Sequence, residues 1–196
     1  MSKPSTAHRF LAAMLLFAAA SAASAAVGDD TQKLEQQFLA QPGNSEAAFR
    51  LASSYRATKQ AERGVTFFSR FHTNHQPTPM SLVWQGSLKT MMSSGGNDME
   101  VRLNLLQTGV ADMDRAVRLF PNNLQVKLVR GVTISNFPSF LEMRGKAIGD
   151  LTAALKAPAA IGPQSEALAR QVLARLYRQD GQEEEARAVE KKRGKN

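Results

Sequence analysis

Between Ser45 and Pro77 the chain alternates small and large residues at intervals that suit two antiparallel helices packed in close contact. The first half carries Leu51, Ala52 and Tyr55; the second carries Gly64 and Phe68, and Pro77 closes the unit. Small residues at Ala52 and Gly64 let the helix axes approach, and Leu51, Tyr55, Phe68 and Phe71 fill the space around that contact. A chain carrying this spacing is constrained to pack helix on helix. Everything downstream reads as looser copies of the same hairpin.

The last copy is the most faithful. Leu173, Ala174, Tyr177 and Ala186 repeat the pattern, with the small residue again nine positions after the tyrosine. Two middle copies fit with insertions. One has Gly86 beside Trp84, then Gly109, Met113, Ala116 and Pro121; its halves are separated by a loop around Ser93–Asp98. Asp98 is placed to cap a long helix reaching about Phe120. The other has Gly131, then Ala147, Leu151, Ala154 and Pro158, interrupted by Asn136-Phe137-Pro138, with Ser139 and Glu142 spaced as a capping box for the return helix. Ahead of the first hairpin, Asp29, Asp30 and Thr31 can cap a short helix to about Gln41 whose Leu34 and Phe38 share one face. Pro42-Gly43 stops it, and Asn44 or Ser45 caps the next helix. About nine helices are expected.

The N-terminus is not expected to contribute to this core. Lys3, His8 and Arg9 precede an uncharged apolar run from Phe10 to Ala20 and a tract of small residues ending in Ala25-Ala26. Basic start, short apolar stretch and Ala-x-Ala exit make residues 1–25 a cleaved secretory signal peptide. The alternative is an uncleaved anchor, since the uncharged stretch extends to Val27, near the lower limit for spanning a bilayer. The expected product is an exported protein, periplasmic or secreted. Residues 26–192 form one helical domain, and residues 193–196 form a basic tail. No cysteine is present, so stability rests on packing without disulfides. The whole chain carries a formal charge of +8. Loss of Lys3 and Arg9 lowers this by two, to about +6, a balance that bears on solubility and association. It suits anionic polypeptides, or peripheral contact with an anionic membrane surface, before nucleic acid.

On these residues the region from about Ser45 to Lys192 resembles a four-unit tetratricopeptide repeat (TPR) protein with insertions in its middle two units. Gln85 and Lys89 stand where the pattern wants Leu and Tyr, and Arg130 is also off-pattern, which bears on the regularity of the middle of the stack. The resemblance implies an all-α fold, a right-handed stack of antiparallel helical hairpins. It also implies a scaffold that binds peptides or partner helices in a groove lined by the first helix of each unit. Transferring the register gives Phe49 and Arg56 (with Ser53) from the first unit, and Val83 and Ser87 (with Thr90) from the second. The third unit offers Leu128 (with Val132 and Ser135), and the fourth Gln171, Arg175 and Arg178. An apolar floor with arginines at both ends suits an acidic or carboxylate-terminated peptide, because guanidinium groups grip carboxylates bidentately. In a tightly closed stack Phe49, Val83 and Leu128 would instead be core.

A second surface comes from the insertions, which both interrupt the turn between first and second helices and so emerge on one edge of the stack. Six methionines (Met80, Met91, Met92, Met99, Met113 and Met143) lie in these two units, with Phe137 and Phe140 beside them. Methionine suits an adaptable apolar contact, and more often fills a gap in a core. Chemistry is poorly supplied. His72 and His75 lie one helical turn apart with no cysteine or nearby carboxylate to complete a zinc-like set. Gly86-Ser87-Leu88-Lys89 has neither the Ser-x-x-Lys spacing nor a nucleophile elbow, and no carboxylate pair stands out as acid and base. Neither catalysis, metal nor cofactor is expected. The expected function is a non-enzymatic exported scaffold for a protein or peptide, bound in the groove or at the insertion edge. A membrane-associated protein, tethered by its N-terminus or drawn by its basic surface, is the alternative.

Overall fold

The computed structural model describes residues 30–95 and 97–191; the proposed signal segment and basic tail lie outside the described residues. Nine α-helices occupy the described residues: α1 (Thr31–Ala40), α2 (Ser45–Ala57), α3 (Ala61–Asn74), α4 (Pro79–Met92), α5 (Met99–Leu119), α6 (Leu124–Ile134), α7 (Arg144–Ala154), α8 (Pro163–Gln179) and α9 (Glu183–Lys191). Short 3-10 turns at Ser139–Leu141 and Pro158–Ala160 join α6 to α7 and α7 to α8.

Local sequence sets the boundaries. The Asn44 side chain accepts from the backbone N–H groups of Glu46 and Ala47, and Asp98 does the same for Glu100 and Val101. Thr78 and Ser81 form a reciprocal capping box ahead of α4, with Pro79 in its first turn. Gly162 and Gly181 adopt positive φ just before α8 and between α8 and α9, where a side chain would be strained. One sequence expectation is corrected. Ser139 and Glu142 do not form a capping box: the chain makes a single 3-10 turn, Glu142 enters the left-handed region at φ 53°, and α7 starts at Arg144 with no side-chain cap. The left-handed residue ends the turn before the helix begins, so the two side chains never flank one helical N-terminus.

Antiparallel hairpins α2–α3, α4–α5, α6–α7 and α8–α9 stack side by side. First helices meet first helices (α2 with α4, α4 with α6, α6 with α8), and each second helix also packs on the next first helix. The close contacts fall where small residues were read. Ala52, Gly64, Ala174 and Ala186 are all buried. Gly64 lies against the Tyr55 ring and Leu88, so its partner is a large residue rather than Ala52 itself. The α4–α5 crossing is tighter still. A Cβ on Gly86 would lie 2.5 Å from the Gly109 carbonyl oxygen, and one on Gly109 would lie 2.7 Å from that of Gly86.

Helix α1 docks on the first hairpin. Phe38 is fully buried and meets Phe67, Phe68 and Phe71 edge-on at ring centroid distances of 5.8, 5.5 and 5.0 Å. Such pairs contribute about 0.5–1.5 kcal/mol each beyond the area they bury. Tyr55 donates to the Glu35 carboxylate at 2.6 Å, and Arg63 donates to the same oxygen at 3.0 Å, tying α1, α2 and α3 together. Burial, and then the Glu35 carboxylate, push the Tyr55 phenol well above its usual pKa.

The off-pattern residues of the middle units are polar joints. The Gln85 amide donates to Ser69 at 2.7 Å, and the Lys89 ammonium to Asp112 at 2.6 Å. Arg130 grips Asp150 with two hydrogen bonds, at 2.7 and 2.8 Å, and donates a third to Asp114 at 2.8 Å. Burial alone would lower the Arg130 pKa, but the hydrogen bonds and charges of Asp150 and Asp114 outweigh it and raise the group above its ordinary value. Lys146 also reaches Asp114, so one carboxylate joins α5, α6 and α7.

Candidate interaction surfaces

The side chains expected to line the groove do not form one surface. Val83 is fully buried, and Leu128 and Ser87 nearly so; the Ser87 hydroxyl is hydrogen-bonded to that of Thr133 at 3.0 Å. These three are interior. Phe49 is 40% exposed and meets Trp84 edge-on at 5.9 Å, and Trp84 is buried. Arg56 is half-buried, and burial lowers its pKa. On α8, Gln171 is exposed and Arg178 turns towards α9, donating to Glu190 at 2.7 Å and lying 3.5 Å from Glu183.

Arg175 is the groove residue with the most distinctive setting. Its terminal nitrogen donates to the Ser135 hydroxyl at 3.0 Å and to the Asn136 side-chain oxygen at 3.3 Å. Its Nε is buried with no hydrogen-bond partner. Burial lowers its pKa, and no described carboxylate offsets that loss. A half-buried guanidinium held by neutral groups has no charge partner among the described residues and stays free to attract an anion.

The insertion edge is different in kind. Met99 is 69% exposed and Leu103 48% exposed at the start of α5, and Phe140 is 79% exposed in the α6–α7 connection. Val101 is also exposed. Met80 and Met113 are buried, while Met91, Met92 and Met143 are partly covered, so the methionines divide between core and edge. The exposure follows from helix length. Helix α5 has 21 residues against 14 in α4, and its first turns have no equivalent stretch of α4 beside them. Arg102 steadies this projection by donating to the Ser93 carbonyl at 2.9 Å. Leu103 was missed in the sequence, although the unequal helix lengths are legible there.

The rings that could have served chemistry are engaged in packing. His72 Nε2 lies 2.8 Å from the Ser81 hydroxyl, and His75 stacks on Phe71 at 4.8 Å with the planes 8° apart. Burial lowers the His72 pKa against a smaller opposing hydrogen bond with Gln85. No group of three potential metal ligands occurs among the described residues, and no described helix is long and apolar enough to cross a membrane.

No protein-family model matches the chain, and no curated protein sequence matches it. Solved structures do. The chain is similar to a thermophilic TPR protein of Thermus thermophilus, with a TM-score of 0.63 and 19% identity over 95% of this chain and 88% of that one. It is also similar to MamA, with a TM-score of 0.52 and 18% identity over 83% of this chain and 84% of that one. The fold is TPR-like. At these identities the likeness is one of architecture.

Proposed function

We propose that this protein is a non-catalytic, exported scaffold that captures a polypeptide partner at its insertion edge. The observation that carries the reading is the exposure of large apolar side chains at the insertion edge, set against the burial of the middle of the expected groove. The edge presents Met99, Leu103 and Phe140 to solvent, whereas Val83, Ser87 and Leu128 of the expected groove are interior. Exposed large apolar side chains gathered on one edge mark interaction surfaces in soluble proteins. A photoreactive benzoylphenylalanine in place of Phe140 should crosslink a partner in cells, and the same group in place of Gln171 should not. Adducts from position 171 alone would move the binding site to the concave face.

Arg175 favours that concave face as a second reading. Its guanidinium has only neutral partners among the described residues and would take a carboxylate of an acidic peptide. Arg178 does not share this setting, being paired with Glu190 and Glu183. Arg175→Ala would then abolish capture, while Arg178→Ala would leave it intact. Export rests on the N-terminal sequence alone. Intact mass of the protein recovered from its host should lack the first 25 or so residues; a full-length mass would favour the membrane-tethered alternative.

A further inference from the structure

The partner at the edge has a recognisable chemistry, and its identification rests on the edge reading given above. Met99, Leu103, Leu106 and Val110 recur at intervals of four, three and four residues, a single stripe along the first half of α5. The two ends of this stripe have different surroundings. Four residues beyond Val110, Asp114 pairs with Lys146 in the first turn of α7 at 2.9 Å, so the far end of this side of α5 meets α7. Helices α5 and α7 are both second helices of their hairpins and run in the same sense. From Asp114 back to Met99 is 15 residues, about 22 Å of helix, and α7 begins only two residues before Lys146. Most of the stripe therefore has no second helix beside it. The Ser135–Met143 connection, with Phe140 at 79% exposure, leads from α6 into this late start of α7.

The charges around this stripe are distributed unequally. Arg144 and Lys146 are offset by Asp180 and Asp114, while Arg102, bonded to the neutral Ser93 carbonyl, keeps its charge. The exposed carboxylates of Glu100 and Glu142 make no ion pair among the described residues and outnumber that one cation. An apolar stripe with an acidic rim selects a cationic occupant.

We propose that the first half of α5, with the Phe140 turn, is a docking groove for a basic amphipathic helix of a partner polypeptide. The occupant extends the line of α7, laying apolar residues of three- and four-residue spacing between Met99, Leu103 and Phe140. Its lysines or arginines meet Glu100 and Glu142. An anionic lipid surface fits poorly, because the rim repels it. A second copy fits poorly as well. A two-fold contact would bring the acidic rims together, and a few side chains fall well short of the about 800 Å² that stable pairs bury on each partner.

The test uses two fluorescein-labelled 16-residue synthetic helices with leucines at that spacing, one with a lysine polar face and one with glutamates in their place. Fluorescence anisotropy should show the lysine peptide binding at least tenfold more tightly than the glutamate peptide. Leu103→Asp with Phe140→Ser should weaken it at least tenfold, and Glu100→Lys with Glu142→Lys about tenfold. Arg175→Ala should leave it unchanged. All these positions but Arg175 are exposed, and circular dichroism melts confirm that each variant keeps its fold. Equal binding of the two peptides, or indifference to Leu103→Asp with Phe140→Ser, overturns the proposal. So does a dimer in sedimentation that Leu103→Asp dissolves, or co-flotation of the unliganded protein with anionic vesicles that Leu103→Asp with Phe140→Ser abolishes. If position 140 crosslinks a partner in cells while the lysine peptide fails to bind, the edge reading stands and the basic helix is wrong. If position 140 captures nothing, the edge reading itself falls.

Discussion

Two glycines decide how closely the longest hairpin can close. Gly86 and Gly109 face one another so that a methyl on either would strike the other's carbonyl oxygen, a backbone atom that cannot swing aside. Gly109→Ala should therefore destabilise the protein by about 1–3 kcal/mol, the range for overpacking a rigid contact. Gly149, on the exposed side of α7 with nothing near its Cβ position, should behave in the opposite way. Gly149→Ala should stabilise by about 0.5–1 kcal/mol through helix propensity and chain entropy. Urea unfolding of the pair separates a packing glycine from one that merely occupies a helix. His72 supplies a second prediction at this scale. Its pKa is lowered by burial, so the folded state prefers the neutral ring. The stability this contributes is fully present above the ordinary imidazole value of about 6.5 and is lost as pH falls through the lower folded-state value. The wild-type melting temperature should fall between pH 7.5 and pH 5 by more than that of His72→Gln, which retains a hydrogen-bonding group towards Ser81.

Among the elements, the middle hairpins add largely covered ion pairs to their packing. Asp150 is buried and receives two hydrogen bonds from Arg130, itself largely covered. Asp150→Ala would leave that guanidinium buried with Asp114 as its remaining carboxylate partner. The expected loss is about 3 kcal/mol, at the lower end for breaking a buried pair, and urea unfolding would measure it. Arg130→Met combined with Asp150→Ala should lose less, because no lone charge is left behind. These joints explain what the sequence conveyed and what it withheld. The spacing of Ala52, Tyr55 and Gly64, and its echo at Ala174, Tyr177 and Ala186, is local and periodic, so the hairpins and their stacking were legible. Lys89 and Arg130 looked like departures because their partners, Asp112 and Asp150, lie 23 and 20 residues away with no fixed spacing. The groove was drawn from register alone, and register does not report how tightly first helices close on one another; Val83 and Leu128 are buried as a result. Both insertions do fall between the first and second helices of their units. The edge's apolar stripe went unread because Leu103 and Leu106 look like ordinary core residues until α7 is seen to start late.

In the whole molecule, stability should decline towards the C-terminal end of the stack. A stack of hairpins behaves nearly as a one-dimensional array, in which each unit is held by its neighbours and a terminal unit has one neighbour fewer. At the N-terminal side, α1 caps the first hairpin with Phe38 buried among three phenylalanine rings. The other end has no such plug among the described residues. In α9 only Ala186 is buried, and the ion pairs Arg178–Glu190 and Arg187–Glu183 lie at the surface, where each contributes little. The centre has the Gly86–Gly109 crossing, the buried Trp84 and Met113, and the Arg130 network. Amide hydrogen exchange under native conditions should therefore release α9 first, by local opening, and the helical interior of α4 and α6 last, near the global unfolding free energy. The projecting turns of α5 before Leu105 should exchange early as well, since their outer hydrogen bonds face water. A bound partner of the proposed kind should slow exchange there and leave α9 unchanged. If protection instead rises at α9, the C-terminal end is the docking surface.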